Sequence, residues 1–299
     1  MRARGIRLAT VLAASLALAL TGCGREGGPG GGGEPAVEQT IAKDVQVQGS
    51  PTFDRMKQRG KAVVGVKEDQ PGLGFRDPVT NQYSGFDVEI ARMVSAQLGL
   101  DPAAIEYKPI PSTAREQAIS TGEVDYYVGT YTINAKRKEQ VGFAGPYYVA
   151  GQDLMVRKDN TDITGPESLK GRKVCSATGS TPIQRVKEQQ LTEPQNIVEF
   201  QRYSECVQQL LDGQIDAVTT DDAILKGFAA QDPDKLKLVG KTFSEEPYGI
   251  GLAKDDTALR NKINDTLEQS ATSGEWKRIY DATLGKSGTA SEPPKVDRY

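Results

Sequence analysis

The cysteines of this chain, together with its lack of histidine, limit the chemistry that its side chains can perform. Without an imidazole, neither a histidine-based catalytic triad nor a zinc site with histidine ligands can form. A catalytic cysteine is disfavoured too, because no histidine exists to activate its thiol. The formal net charge of -3 over 299 residues gives no electrostatic case for nucleic-acid binding. We therefore predict no catalytic residue, no metal site and no cofactor.

The first 22 residues are predicted to form a lipoprotein signal peptide. Three arginines precede an apolar run over residues 8–20, which is typical of an export signal. The run is about 13 residues long, shorter than the roughly 20 that a membrane-spanning helix needs. It ends in Leu20-Thr21-Gly22-Cys23, which resembles the lipobox of bacterial lipoproteins. We expect lipid on Cys23 to anchor the exported protein to the outer face of the cell membrane. The alternative is a stray cysteine after a signal peptide.

Segments at both ends of the remaining chain look unlike a folded core. Residues 24–48 are first glycine-rich and then polar, without hydrophobic periodicity, which favours a flexible tether. We assign residues 23–52 to this lipid-anchored tether. The tail over residues 287–299 contains the adjacent Pro293 and Pro294 and is expected to be disordered.

Cys175 and Cys206 remain after Cys23 has been assigned to lipid. An exported protein occupies an oxidising compartment, where such a pair usually forms a disulfide. We therefore expect a bond between Cys175 and Cys206. The alternative is a pair of buried free thiols.

The elements that must position any site follow an alternating pattern. Short β-rich runs alternate with helical patterns from residue 61 onward, which predicts an α/β fold. Residues 87–98 are predicted to form a helix because their apolar side chains share one face, and Gly99 suits its C-terminal cap. The predicted strands lie at residues 61–66, 124–129, 172–176, 197–200, 215–219 and 236–239.

A short sequence pattern that occurs twice in the chain favours two lobes of similar structure. A helical pattern ending in Gly122-Glu123-Val124-Asp125 precedes one strand, and a pattern ending in Gly213-Gln214-Ile215-Asp216 precedes another. Residues 142–148 and 247–251 are candidate crossover strands between the two halves.

Short motifs spread over residues 53–284 resemble those of one protein family. Their order and spacing resemble the extracytoplasmic solute-binding proteins of polar amino-acid ABC importers, within the glutamate/aspartate-binding subgroup. These proteins share a two-lobed fold with the ligand-binding domains of ionotropic glutamate receptors. The motifs are Gly85-Phe86-Asp87-Val88-Glu89-Ile90-Ala91, Thr132-Ile133-Asn134 with Arg137, Phe143 with Pro146-Tyr147-Tyr148, Gly179-Ser180-Thr181, Asp216-Ala217-Val218 with Asp221, and Gly274-Glu275-Trp276 with Ile279-Tyr280.

The resemblance implies the type II periplasmic-binding-protein fold, in which two lobes, each a mixed β-sheet covered by helices, are joined by two hinge crossovers. Residues 53–148 and 247–286 would form lobe 1, and residues 149–246 lobe 2. The implied protein is a monomer that captures an amino acid by cleft closure and delivers it to the permease subunits of an ABC importer. The alternatives are an amino-acid sensor that signals to a membrane partner, and an enzyme on the same fold. The lack of histidine disfavours the enzyme.

The matched positions imply a site for the α-carboxylate of an amino acid. Arg137 follows Thr132 by five residues, so a guanidinium and a hydroxyl can converge on one carboxylate. Ser180 and Thr181 precede Pro182, where a helix N-terminus offers N–H groups to an anion. The alternatives are a solvated helix start at Arg137 and a simple helix cap at residues 179–181.

The α-ammonium group is assigned to the second half of the chain. Asp221 follows a predicted strand and would accept hydrogen bonds from the ammonium. The Thr132 hydroxyl and the Thr130 carbonyl would help. The alternative for Asp221 is a helix N-cap beside Asp222.

The side-chain end of the ligand is assigned to cations. Lys67, together with Ser112 and Arg115, resembles the residues that take the distal carboxylate in glutamate/aspartate-binding members. Burying a carboxylate without a partner is costly, so an acidic ligand requires such cations. Tyr203 is predicted to close over the side chain from the second lobe. We therefore predict L-glutamate as the ligand, with L-aspartate or an amide relative such as glutamine as alternatives. For Lys67 and Arg115, the alternative is that both are charges on the protein surface.

Overall fold

Two five-stranded sheets organise residues 37–299, the part of the chain that the computed structural model describes. The first sheet has the order β5 (Glu106–Pro109), β1 (Val63–Val66), β6 (Tyr126–Tyr127), β13 (Glu246–Leu252) and β7 (Gly142–Ala150). In the second sheet the order is β10 (Ile197–Phe200), β9 (Val174–Ala177), β11 (Ala217–Asp221), β8 (Gln152–Arg157) and β12 (Leu236–Leu238). Both sheets mix parallel and antiparallel pairs, which confirms the predicted α/β class.

The chain passes between the two sheets twice. Strand β7 ends in the first sheet at Ala150, and β8 begins in the second at Gln152. The chain returns between Leu238 and Glu246, where β13 begins beside β7. We call the first sheet and the elements packed on it the first lobe, and the second sheet with its elements the second lobe.

Helices cover both sheets. The first lobe contains α1 (Pro51–Arg59), α2 (Phe86–Gln97), α3 (Arg115–Ser120), α4 (Ala135–Lys138), α8 (Thr257–Ser273) and α9 (Glu275–Ala282). It also holds a small sheet of β2 (Asp69–Gln70), β3 (Gly74–Arg76) and β4 (Tyr83–Ser84). The second lobe contains α5 (Thr181–Glu188), α6 (Tyr203–Leu211) and α7 (Asp222–Gln231). Helix α2 ends where Gly99 adopts φ +72°, in agreement with the predicted cap.

An aromatic cluster joins α9 to the first crossover strand. Trp276 stacks on Tyr280 with ring centroids 5.2 Å apart, and both rings meet the Phe86 ring edge-on. The Trp276 indole N–H donates to the Tyr147 carbonyl oxygen at 2.7 Å. The C-terminal helices are thereby fixed to the first lobe, because buried aromatic pairs add directional contact energy to their area burial.

The segment before α1 differs from the predicted tether. Val45 and Val47 are buried, and the Ala42 N–H donates to the Ala96 carbonyl oxygen at 2.9 Å. Ser50 caps α1 and donates to the Asp256 carboxylate at 2.8 Å. The composition of this segment is mostly polar, so the sequence did not predict that two valines, spaced two residues apart, face the core. The signal peptide, Cys23 and the tether up to residue 36 lie outside the described residues.

The C-terminal tail also differs from the expected disorder. Val296 is buried, and the Asp297 N–H donates to the Gly145 carbonyl oxygen at 2.8 Å on the edge of β7. The Tyr299 hydroxyl accepts the Phe143 N–H at 2.9 Å. The tail is ordered because it satisfies backbone groups that an edge strand leaves open. Within residues 37–299, every helix is too short or too polar to serve as a membrane span.

The predicted disulfide between Cys175 and Cys206 is present. It links β9 to α6, with the two Cα atoms 5.6 Å apart. Both elements lead directly to residues of the candidate site, which are Ser180 after β9 and Tyr203 at the start of α6.

Candidate ligand-binding site

A small cavity lies between the two lobes. Eight of the ten residues predicted to bind ligand line it, and Lys67 and Thr132 adjoin it through hydrogen bonds to neighbours. The lining residues are Ser112, Arg115, Thr130, Arg137, Ser180, Thr181, Pro182, Tyr203, Asp221 and Ile224.

The fold brings these residues together because most of them follow strand ends. Ser112 and Arg115 come after β5, Ser180 comes after β9, and Asp221 is the last residue of β11. Strands β1, β5 and β6 run parallel, as do β9, β10 and β11. Their carboxyl ends therefore meet at one edge of each sheet, which is where open α/β sheets bind ligands.

Arg137 is held in place from both lobes. Its Nη1 donates to the Thr132 carbonyl oxygen at 2.7 Å, and its Nη2 lies 3.4 Å from the carbonyl oxygen of Gly179 in the second lobe. Its Nε is 3.5 Å from a carboxylate oxygen of Glu116. Burial, and then the positive charge of Arg115, lower the pKa of Arg137 to about 10. The guanidinium thus remains charged at neutral pH beside the cavity, and the alternative of a solvated helix start does not describe it.

Arg115 is buried with hydrogen-bonding capacity to spare. Only 2% of the residue is exposed, and its guanidinium carbon lies 4.3 Å from the centre of the Tyr131 ring. Its Nη1 is 3.5 Å from the Thr130 carbonyl oxygen, while its Nε has no hydrogen-bond partner among the described residues. A buried donor without a partner costs free energy, so this edge of the cavity favours an acceptor on a ligand.

Lys67 lies next to the cavity through Ser112. Its Nζ donates to the Ser112 hydroxyl at 2.8 Å, and only 6% of the residue is exposed. Burial, and then the Arg115 charge, lower the pKa of Lys67 to about 7. Lys67 and Arg115 are therefore buried together, which excludes their alternative as surface charges.

Asp221 places a carboxylate on the opposite wall. Its Oδ2 accepts a hydrogen bond from the Tyr248 hydroxyl at 2.6 Å, and its Oδ1 is buried without a partner in the described part of the chain. Asp221 occupies the N-cap position of α7, but its side chain makes no capping bond. Burial, and then the Glu246 carboxylate, raise the pKa of Asp221 to about 7. The carboxylate is therefore available to a donor in the cavity.

Ser180 and Thr181 make different contacts. The Ser180 hydroxyl accepts the Ile183 N–H at 3.3 Å and so caps α5, as the simpler alternative proposed. The Thr181 hydroxyl donates to a Glu246 carboxylate oxygen at 2.9 Å and lies 3.3 Å from the Thr132 hydroxyl in the other lobe. Both residues nevertheless line the cavity at the N-terminus of α5, where partial positive charge favours an anion.

Thr130 and Tyr203 complete the predicted set. Thr130 adopts φ +47°, which is unusual for a residue with a branched side chain. Its N–H donates to the Asp87 carboxylate at 3.0 Å, and that contact holds the turn after β6. Tyr203 is buried on the second-lobe wall, where burial raises the pKa of its hydroxyl to about 12.

Sequence reasoning missed several residues around the site. Gln70 is fully buried, accepts a hydrogen bond from the Thr130 hydroxyl at 3.1 Å, and leaves its Nε2 without a partner among residues 37–299. Glu116 holds Arg137, and Glu246 binds both Thr181 and Arg185. The position of Glu246 beside a candidate crossover strand was the only signal that could have identified it.

The arrangement suits a small zwitterion. Cationic donors line one part of the cavity, and across from them lies a carboxylate with one oxygen that no described residue contacts by a hydrogen bond. A solute with both an anionic and an ammonium group would pair with each wall, and pairing removes the cost of burying these charges.

Comparison with known proteins identifies the group to which this architecture belongs. Residues 62–286 match the family described as bacterial extracellular solute-binding proteins, family 3. The glutamate-binding protein GluB of Corynebacterium efficiens is 41% identical over 239 residues, which cover 77% of this chain and 80% of that protein. A glutamine-binding protein of Geobacillus stearothermophilus is 38% identical over 249 residues, covering 83% of this chain and 92% of its own length.

A solved structure of an ancestral arginine-binding protein bound to arginine superposes with a TM-score of 0.70. It is 36% identical in sequence, and the match covers 76% of this chain and 99% of that chain. The family and these relatives are binding proteins, in agreement with the prediction that the chain is not an enzyme. The chain belongs to the bacterial extracellular solute-binding proteins of family 3, the type II binding-protein fold that serves polar amino-acid ABC importers.

Proposed function

We propose that this protein captures L-glutamate in the cavity between its lobes and delivers it to the permease subunits of an ABC importer. The observation that carries the proposal is the burial of three cations, Lys67, Arg115 and Arg137, beside one small cavity whose far wall holds Asp221. L-glutamate has two carboxylates and one ammonium group. That charge pattern complements the cavity.

The α-amino-acid group would be held by residues of both lobes. Arg137 and Thr181 would bind the α-carboxylate, with the Thr132 hydroxyl beside them. Asp221 would accept hydrogen bonds from the ammonium through its Oδ1, which has no partner in the part of the chain that the structure describes. Because Arg137 already reaches Gly179 in the second lobe, a carboxylate bound there would be gripped from both sides.

The distal carboxylate would be held by Arg115, Lys67 and Ser112. Two observations support this assignment: the Arg115 Nε has no hydrogen-bond partner within residues 37–299, and Lys67 donates a hydrogen bond to Ser112. A relative of known ligand agrees with it, since the protein from C. efficiens is named a glutamate-binding protein.

Glutamine is the second candidate ligand. The low pKa of Lys67, about 7, means that this amine is close to half neutral at neutral pH. A neutral amine hydrogen-bonds an amide without requiring a second negative charge. The relative from G. stearothermophilus is named for glutamine.

Isothermal titration of the protein with L-glutamate, L-glutamine, L-aspartate and L-arginine tests the proposal. We expect L-glutamate to bind most tightly and L-arginine not to bind, because its guanidinium would face buried cations. If L-glutamine binds most tightly, the ligand assignment is wrong but the assignment of the binding site stands. Tightest binding of L-arginine, or binding of none of the four, would overturn the proposal.

The remaining assignments concern attachment and boundaries. We propose that the exported protein is a monomer held at the membrane by lipid on Cys23. We further propose that closure of the cleft moves residues 149–246 against residues 53–148 and 247–286. Mass spectrometry of the mature N-terminus should find a lipid-modified Cys23, and an unmodified cysteine would contradict the anchor.

A further inference from the structure

A second set of contacts joins the lobes outside the cavity. It consists of Glu68, Asp69 and Pro71 around β2 in the first lobe, Arg202 and Ser204 at the N-terminus of α6, and Gly227 in α7. We call these residues the seam. None of the residues of the seam is among those that line the cavity.

Polar contacts form one half of the seam. The Arg202 guanidinium lies 2.7 Å from a carboxylate oxygen of Glu68, and the Ser204 N–H donates to the Asp69 carboxylate at 3.1 Å. Ser204 is in the first turn of α6, where the N–H groups have no partner within the helix. Asp69 therefore neutralises the positive end of a helix that belongs to the other lobe.

Close backbone approach forms the other half. A Cβ atom built on Gly227 would lie 2.1 Å from the carbonyl oxygen of Pro71. Gly227 is inside α7, where glycine is destabilising relative to alanine. Its backbone conformation does not demand glycine, because its φ is outside the left-handed region. Approach of the two lobes is thus what requires a residue without a side chain at this position.

We propose that the seam stabilises the closed arrangement of the lobes and sets ligand affinity without touching the ligand. The inference rests on the proposed capture of an amino acid between the lobes. Each contact of the seam joins opposite lobes, so each is lost when the lobes separate.

The seam and the cavity then have separable roles. Cavity residues discriminate between ligands, whereas the seam changes the population of the closed form that all ligands need. A change in that population alters the apparent affinity of every ligand by one common factor. Ligand ranking should therefore survive damage to the seam.

Gly227→Ala is the most direct test. Alanine at an interior helical position should raise the melting temperature of the ligand-free protein by about 1–3 °C. The same methyl group blocks closure, so affinity for L-glutamate and L-glutamine should fall together, by at least about tenfold. An unchanged affinity for both ligands would overturn the proposal, and a selective loss for one ligand would place Gly227 in ligand recognition instead.

Glu68→Gln and Arg202→Gln test the ion pair. Each should increase the dissociation rate of both ligands by a common factor of about two to five, as expected for an exposed pair. The double variant should be no worse than either single one, because both remove the same contact. Glu106→Gln is the matched control, since Glu106 forms a comparable 2.9 Å pair with Lys61 within the first lobe.

The outcomes separate this proposal from the proposed function. If the unaltered protein binds no amino acid, the proposed function fails and the seam has no ligand to serve. If it binds but Glu68→Gln, Arg202→Gln and Gly227→Ala all match the Glu106→Gln control, only the seam is refuted.

Discussion

Ligand binding should exchange protons with the solvent, in a direction that depends on pH. In the closed site without a ligand, burial and then Glu246 raise the pKa of Asp221 to about 7, while burial and then Arg115 lower that of Lys67 to about 7. A bound ammonium stabilises ionised Asp221 and lowers its pKa, so binding releases a proton. A bound distal carboxylate stabilises charged Lys67 and raises its pKa, so binding takes one up.

These two values describe the closed site and therefore set the upper limit of the exchange. At pH 6, a carboxyl with a pKa of 7 is about nine-tenths protonated, so either ligand should release up to about 0.9 proton from Asp221. At pH 8, Lys67 is about nine-tenths neutral, so L-glutamate should take up as much as about 0.9 proton. L-glutamine brings no distal charge and should take up much less. Net proton exchange for L-glutamate should therefore change sign between pH 6 and pH 8.

Titration calorimetry in pairs of buffers with different ionisation enthalpies measures this exchange directly. At each pH, the dependence of the observed heat on buffer gives the number of protons transferred. Asp221→Asn should abolish the release at pH 6, and Lys67→Met should abolish the uptake at pH 8. Heats independent of buffer at both pH values would refute the roles assigned to Asp221 and Lys67. Equal uptake for both ligands at pH 8 would refute the role of Lys67 alone.

Two further predictions concern the cations and the disulfide. Arg137→Ala should lower the affinity for L-glutamate and L-glutamine alike, whereas Arg115→Ala or Lys67→Ala should lower the affinity for L-glutamate about tenfold to a hundredfold more than that for L-glutamine, by loss of one charge-assisted hydrogen bond. Calorimetry of the three variants with both ligands measures this difference. Equal losses for the two ligands would contradict the assignment of Arg115 and Lys67 to the distal carboxylate. Replacing Cys175 and Cys206 by serine should lower the free energy of unfolding by about 3 to 4 kcal/mol in the chain-entropy model, which denaturant titration checks. No change in the unfolding midpoint would contradict it.

The sequence was informative where function follows strand ends. Arg137 and Asp221 are distant in the chain, yet the motifs that resemble the family predicted both as ligand-binding residues, and the structure places both at one cavity. Local geometry was harder to predict. The Ser180 hydroxyl caps its own helix, and a pattern of residue types does not distinguish that contact from a ligand contact.

Contacts between the lobes lay beyond sequence reasoning. The close approach of Gly227 to Pro71 and the pairing of Asp69 with α6 depend on how two sheets are placed relative to each other. No local periodicity encodes that placement. The packing of Val45 and Val296 was missed for a related reason, since isolated apolar residues in polar segments reveal their partners only in the folded chain.

Closure of an empty cavity should be unfavourable in this protein. It would bury Lys67 and Arg115 together and leave the Arg115 Nε and the Asp221 Oδ1 without partners. A bound zwitterion supplies the missing partners, and the seam adds contacts that are the same for every ligand. The seam must therefore contribute less than the empty cavity costs, or the protein would close without its ligand. The binding free energy would then be the sum of the contributions of the ligand contacts and the seam contacts, less the free-energy cost of burying the site. A stronger seam should therefore tighten binding and also slow release of the ligand to the permease.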